Sequence, residues 1–346
     1  MAPLITRERT RDLAQVIGAF ALGLALLALF LLVAGFDVAQ SLSALWRGAF
    51  GSWYEFTSAT LVRATPLIVL GLAFTLAATA GMLNIGMEGQ FAAGAIGATW
   101  IGLHAGTAPA PVAVAATLFG AICCGGVWVA IPVLLRVRFG VTEVISTLLL
   151  NFVSMAAVSY AVTGPLQEPS RVYPQSSLIA PIARLPHLGH GSRLHLGFVI
   201  SVALTVLLGI LLTKTSWGFR IRAVGAGPRA ALISGRMPVA AIGGMALLWS
   251  GALAGLGGGI EVSGVSYALY QNLSPGYGFT AIAVALLARL QVPMVLVAGI
   301  LFGALEAGAA AMQRDAAVPA VAVQVVEAVV MVVMLLALRR PSGAQR

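Results

Sequence analysis

The sequence GMLNIGMEGQ, Gly81 to Gln90, sets Asn84, Glu88 and Gln90 among three glycines between two long apolar runs. Two amides and a carboxylate at this spacing are hydrogen-bonding equipment. They can cap the start of a helix, with Glu88 complementing its dipole and Asn84 its exposed amides, or they can meet a polar solute. A helix in hydrocarbon normally avoids them, because an unmatched polar group costs free energy there and glycine weakens a helix interior. A second segment, YQNLSPGYGF from Tyr270 to Phe279, repeats the mixture of asparagine and glycines ahead of another apolar run. Glu306 and Glu327 fall inside the last two apolar runs, where a carboxylate is a candidate transport or proton group.

No catalytic constellation accompanies these residues. GxSxG and HExxH are absent, and His104, His187, His190 and His195 all fall in or beside predicted outer loops. The one Lys-Thr pair, Lys214 and Thr215, follows Thr213 rather than glycine, so the phosphate-binding pattern GxxxxGK[ST] is missing. Cys123 and Cys124 are adjacent within an apolar run, a spacing that suits neither a metal nor a disulfide between loops. The residues therefore predict no enzyme and no bound metal, and any hydrolysis of nucleotide must come from another chain.

The elements that hold these residues are membrane spans. Of 346 residues, 60% are hydrophobic and 9% charged, against about 25% charged in a soluble domain, and the mean hydropathy is +0.98. The sequence predicts an all-α integral membrane protein with about ten transmembrane helices, near 13–35, 62–81, 85–103, 112–135, 143–162, 196–213, 239–260, 278–288, 292–312 and 319–338. Residues 13–338 then form one transmembrane domain between short tails, 1–12 and 339–346. Glycines four apart, Gly251, Gly255 and Gly259, and Gly299 with Gly303, predict close helix packing.

Cations set the orientation. With the amino terminus inside, the inner loops hold fourteen Arg and Lys residues and the outer loops six, so both termini are predicted to be cytoplasmic. The net charge of +9 is thus topological, and no basic cluster with interleaved aromatics points to nucleic acid. The outer segment 163–195 is proline-rich and predicted to cap that face. The inner segment 214–238, KTSWGFRIRAVGAGPRAALISGRMP, carries five cations and no acid, and Pro228 marks the first turn of a short helix after Gly227. This segment is predicted to dock a cytoplasmic partner. Breaks after the second and seventh spans are also what two inverted five-helix halves would show, with the interrupted segments lining a path.

Four stretches carry a family resemblance: LVRATPLIVLGLAFTLAATAGMLNIGMEGQFAAGAIGA, GVTEVISTLLLNFVS, GFRIRAVGAGPRAALISGR and LSPGYGFTAIAVALLARLQVPMVLVAGILFGALEAGAAAMQ. Together, over roughly residues 58–338, they resemble the permease subunits of bacterial ABC importers, in the family of branched-chain amino acid and simple-sugar permeases. NIGMEGQ is similar to the Asn-Ile-Gly-x-Glu-Gly-Gln element of its nucleoside-type members. The first 57 residues match little beyond a basic start and one span.

The resemblance implies a type II importer fold like that of the cobalamin importers, in the bacterial inner membrane. It implies no cofactor on this chain, with ATP and Mg bound by a separate ABC ATPase subunit. Further implied partners are a second permease subunit, more often a different one than a copy, and a substrate-binding lipoprotein or periplasmic binding protein delivering to loop 163–195 on the periplasmic face. Segment 214–238 becomes the coupling loop, with Arg222, Gly225, Arg229, Ala230, Ala231 and Ser234 docking into the ATPase. Asn84, Glu88, Gln90, Phe91, Asn151 and Tyr277 become the candidate pathway residues for a nucleoside, which needs hydrogen-bonding groups and an apolar face for its base. Simple sugars or branched-chain amino acids are alternative cargoes. A carrier independent of ATP, using Glu306 and Glu327, is an alternative of another class.

Overall fold

The computed structural model describes residues 25–189, 191–233 and 237–319, with residues 18, 21–23, 325, 328 and 332 besides. Most of those residues are helical. Besides an apolar helix at Ala21–Val33, inside the predicted first span, and a single turn at Trp53–Glu55, the helices in chain order are α1 (Val38–Phe50), α2 (Leu61–Thr79), α3 (Met87–Leu103), α4 (Ala110–Phe139), α5 (Glu143–Thr163), α6 (Leu196–Lys214), α7 (Ser216–Ala226), α8 (Pro228–Ile233), α9 (Val239–Glu261), α10 (Tyr277–Leu287) and α11 (Val292–Asp315). Two π-helical turns, Phe56–Thr60 and Val262–Ser266, lengthen α2 and α9. Among the described residues, six helical runs are long and apolar enough to cross a membrane: Trp53–Thr79, Ala110–Phe139, Glu143–Thr163, Leu196–Lys214, Val239–Ser266 and Val292–Asp315. The predicted tails 1–12 and 339–346, and nearly all of the predicted tenth span, lie outside the described residues.

The predicted third and eighth spans are shorter than a full crossing. α3 has 17 residues, about 25 Å, and α10 has 11, about 16 Å, against a hydrocarbon core of about 30 Å. Helix α1 was not anticipated. Asp37 caps it through Gln40 N–H at 2.9 Å, and its buried positions Ser41, Ala44 and Gly48 form a stripe of small residues rather than an apolar run.

The chain divides into two compact units, residues 1–63 with 301–346, and residues 64–300. In the first, a methyl group on Gly48 would overlap Ala311 and one on Gly308 would strike Leu45, so α1 and the second half of α11 touch at backbone distance. Thr60 Oγ1 donates to the Ala49 carbonyl at 2.8 Å. In the second unit, α3, α4 and α9 make a glycine-packed centre. A methyl group on Gly94 would overlap the Gly255 backbone, one on Gly258 the Phe91 carbonyl, and one on Gly255 the Ala121 carbonyl. The predicted packing glycines Gly251, Gly255 and Gly259 all face α4; with no aqueous drive between spans, dispersion at such short range is what joins them.

Candidate functional site

A helix start leaves backbone N–H groups without partners, and here side chains supply them. Helix α2 stops at Thr79, the chain turns at Gly81 with φ 78°, and α3 begins at Met87. Asn84 Oδ1 accepts from Gly86 N–H at 3.1 Å. Asn151, on α5, accepts from Gly89 N–H at 2.8 Å and donates to the Ile85 carbonyl at 2.9 Å. Asn84 and Gln90 exchange amide hydrogen bonds of 2.7 and 2.9 Å, and Asn84 donates a further one to Ser250 Oγ at 2.8 Å. All three amide side chains are buried and all are spent on holding the break open in this shape. Below it, Arg136 and Glu143 form an ion pair across the α4–α5 turn, and Glu143 Oε1 accepts from Leu83 N–H at 3.4 Å.

Glu88 points elsewhere. Its Oε2 accepts from Gly278 N–H at 2.7 Å. Counting alternate spans from an inner amino terminus puts Asn84 at the inner face and the Tyr270–Phe279 segment at the outer one, whereas the contact of Glu88 with Gly278 sets the starts of α3 and α10 side by side. The physical reason is that α10 is a half-helix, so the chain from Tyr267 to Gly276 enters the protein as irregular backbone before it coils. Left-handed Tyr267, Asn272 and Gly276 (φ 56°, 58° and 104°) steer that descent. Ser274 Oγ accepts from Gly276 and Tyr277 N–H at 3.1 and 3.0 Å, capping α10.

The proline-rich loop between α5 and α6 pins the same irregular segment. Leu185, Ile179 and Ser176 N–H donate to the Ser263, Tyr267 and Leu269 carbonyls, each at 2.8 Å. Leu185 is buried with Val69, Leu256 and Ile260, so the loop is part of the core as well as a cover. His195 ends it by capping α6, its Nδ1 accepting from Gly197 N–H at 3.2 Å. Burial, then the charges of His187 and Arg193, lower the His195 pKa to about 4 and keep the ring neutral.

Between α3, α5 and the descending strand lies a cavity of about 410 Å³, within the range of small-molecule sites, roughly 300–1,000 Å³. Of the residues singled out from sequence, Glu88 and Phe91 line it. Tyr277 is buried behind them, edge-on to Phe91 with ring centroids 6.0 Å apart. Asn84, Gln90 and Asn151 are not in its wall. Sequence reasoning missed Ser154, Gln271, Asn272, Ser274 and Phe279, which are. Four of these five stand in the quoted segment YQNLSPGYGF, and Ser154 lies one turn beyond Asn151 on α5. Gln271 Nε2 donates to Ser159 Oγ at 2.8 Å across the mouth. The arrangement offers acceptors, amides and two phenyl groups, Phe279 exposed and Phe91 almost wholly buried.

At the other end, segment 214–238 forms two helices, of which only α8 was expected. A methyl group on Gly218 would strike the Leu211 carbonyl and one on Gly225 the Thr79 carbonyl, so α7 lies flat on the ends of α6 and α2. Arg222 donates to the Gly218 carbonyl at 3.4 Å. On α8, Ala231 is buried, Arg229 and Ala230 are exposed, and Leu232 and Ile233 are 65% and 85% exposed. Ser234 and Glu327 lie outside the described residues, and Glu306 is half-buried on α11.

The sequence matches the family described as branched-chain amino acid transport system / permease component over residues 56–338. It is 37% identical over 317 residues to the guanosine ABC transporter permease protein NupP of Bacillus subtilis, covering 90% of each chain. It is 37% identical over 286 residues to the glucose ABC transporter permease protein TsgB13 of Haloferax volcanii, covering 80% of this chain and 74% of the relative. The nucleoside ABC transporter permease protein NupB of Lactococcus lactis is 30% identical over 334 residues, 93% of this chain and 91% of its own.

Proposed function

The chain belongs to the family of branched-chain amino acid transport system permease components, and from that footing we propose that it carries nucleosides through the cavity beside Glu88. It is a multi-pass ABC permease, is not itself catalytic, and works with ATPase and binding-protein partners. The observation that carries the cargo reading is the wall of the cavity. Two helix starts, each bearing about half a positive charge, meet at Glu88, and the protein supplies its own carboxylate to them. The site is therefore already neutralised and has no call for an anionic solute. What remains is a carboxylate and amides facing the phenyl rings of Phe91 and Phe279, which suits a flat base with N–H donors and an uncharged ribose. Similarity to guanosine and nucleoside permeases supports the same choice.

In this reading Glu88 and Phe91 touch the solute, Tyr277 backs Phe91, and Asn84, Gln90 and Asn151 position the start of α3. Loop 163–195 faces the periplasm and receives a binding protein or lipoprotein. Residues 13–338 cross the inner membrane about ten times, with both termini in the cytoplasm. The meeting of α3 and α10, each following a break, supports two inverted halves related by an axis near Glu88. Segment 214–238 is the coupling loop, with Arg222, Gly225, Arg229, Ala230, Ala231 and Ser234 at the ATPase contact, where ATP and Mg are bound by the partner. A second, different permease completes the pair.

The test is to copurify the chain with its ATPase and measure hydrolysis and uptake in liposomes with nucleosides, sugars and branched-chain amino acids. Stimulation by nucleosides alone is expected. Stimulation by hexoses would favour the second reading, a simple-sugar permease, which the similarity to TsgB13 supports. Concentrative uptake by the chain without ATPase would overturn both.

A further inference from the structure

A larger cavity, about 570 Å³, lies apart from the first, between α2, α6, α7 and α9. On α6 its wall is Leu204, Leu207, Leu208 and Leu211, spaced i, i+3, i+4, i+7 as one helical stripe. On α7 it is Trp217 and Ile221, one turn apart. The cavity opens sideways: Leu207 is 62% exposed and Trp249, on its rim, 57%. The next position along the α6 stripe is Lys214, three residues past Leu211, and Arg220 lies three past Trp217 on the same side of α7. Both cations are exposed. Among the described residues neither forms an ion pair, and the sequence has no Asp or Glu between Glu168 and Glu261 to neutralise them.

A hydrocarbon groove that ends in an indole and two uncompensated cations has the polarity of a membrane lipid reversed in charge. We propose that this groove is a binding site for an anionic phospholipid of the leaflet beside α7 and α8, with an acyl chain along the Leu204–Leu211 stripe and the phosphate between Lys214 and Arg220. Trp217 sits where aromatic residues are enriched, at the boundary of hydrocarbon and headgroup. The inner sides of α7 are already closed by Gly218 on Leu211 and Gly225 on Thr79. The lipid covers the side that protein leaves open.

The experiment uses the full-length chain in phosphatidylcholine nanodiscs, titrated with chain-brominated phosphatidylglycerol while tryptophan fluorescence is read. Saturable quenching is expected, in excess of that from brominated phosphatidylcholine, and Trp217→Phe together with Trp249→Phe, the two tryptophans of the groove, should remove most of the excess. Lys214→Gln with Arg220→Gln should raise the half-saturating fraction about 30-fold, each cation near an anionic headgroup contributing about a fivefold share. Ala246→Phe, filling the cavity, should abolish the excess. Should Ala246→Phe not fold, the exposed double variant still decides. Equal quenching by the two lipids, an excess that survives in the exposed double variant, or no quenching of the groove tryptophans would each overturn the proposal, the first leaving unselective lipid there, the second a headgroup held elsewhere and the third a groove covered by protein.

Discussion

Replacing Glu88 by glutamine keeps the size of the side chain and one oxygen for Gly278 N–H, and removes the charge. The 2.7 Å bond has the length of a charge-assisted hydrogen bond, worth about 1.5–3 kcal/mol against about 0.5–1.5 for a neutral one. Two helix starts also lose a compensating anion, at about 0.3–1 kcal/mol each. Stability should therefore fall by about 2 kcal/mol, which a chain of this size in a well-matched detergent tolerates. Transport should fall further. If a base donates to Glu88 as the solute passes, loss of that charged acceptor lowers kcat/KM by about tenfold to a hundredfold. The assay is ATP-driven uptake of labelled guanosine by the reconstituted complex, beside a thermal unfolding curve and a pull-down of the ATPase. Uptake within twofold of the parent, with the unfolding curve shifted as calculated, would refute a solute contact and leave Glu88 as a brace between α3 and α10.

Asn151→Ala leaves the Gly89 N–H and the Ile85 carbonyl unmatched in a buried site, so stability should drop by about 3 kcal/mol in a denaturant or thermal titration; a shift under half that would mean water replaces the amide. Arg229→Glu reverses an exposed cation on α8, and ATPase binding to purified permease should weaken at least tenfold while membrane insertion is unchanged, as a pull-down and a protease-accessibility assay would report. His195 titrates near pH 4 folded and near 6.5 unfolded, so its contribution is complete above about pH 6.5 and is lost as pH falls toward 4, up to about 3 kcal/mol. His195→Gln should flatten the fall of the melting temperature between pH 6.5 and 4.5.

The sequence announces where the spans break, because glycine, asparagine and glutamate in an apolar run have no other easy explanation. It does not announce how deep the breaks sit. Counting charges treats every apolar run as a whole crossing, and the 11 residues of α10 satisfy that count while spanning about half of it. Residue type also does not separate a spent amide from an open one. Asn84 and Gln271 look equally suited to a solute, yet the first is closed off by Gln90 and Ser250 and the second lines the cavity. Helix α1 escapes notice for a third reason: its buried stripe is Ser41, Ala44 and Gly48, chosen for smallness, which a hydropathy scan does not register. The α8 start, by contrast, was legible from Gly227 and Pro228 alone, since proline at a first turn is a local signal.

The bond from Gly278 to Glu88 belongs to two helices that lie 190 residues apart in the chain. Any rearrangement that parts α3 from α10 has to break it, and a solute that donated to Oε2 would compete with Gly278 for that atom. A solute bound in that way would loosen the hydrogen bond that ties the start of α3 to the start of α10.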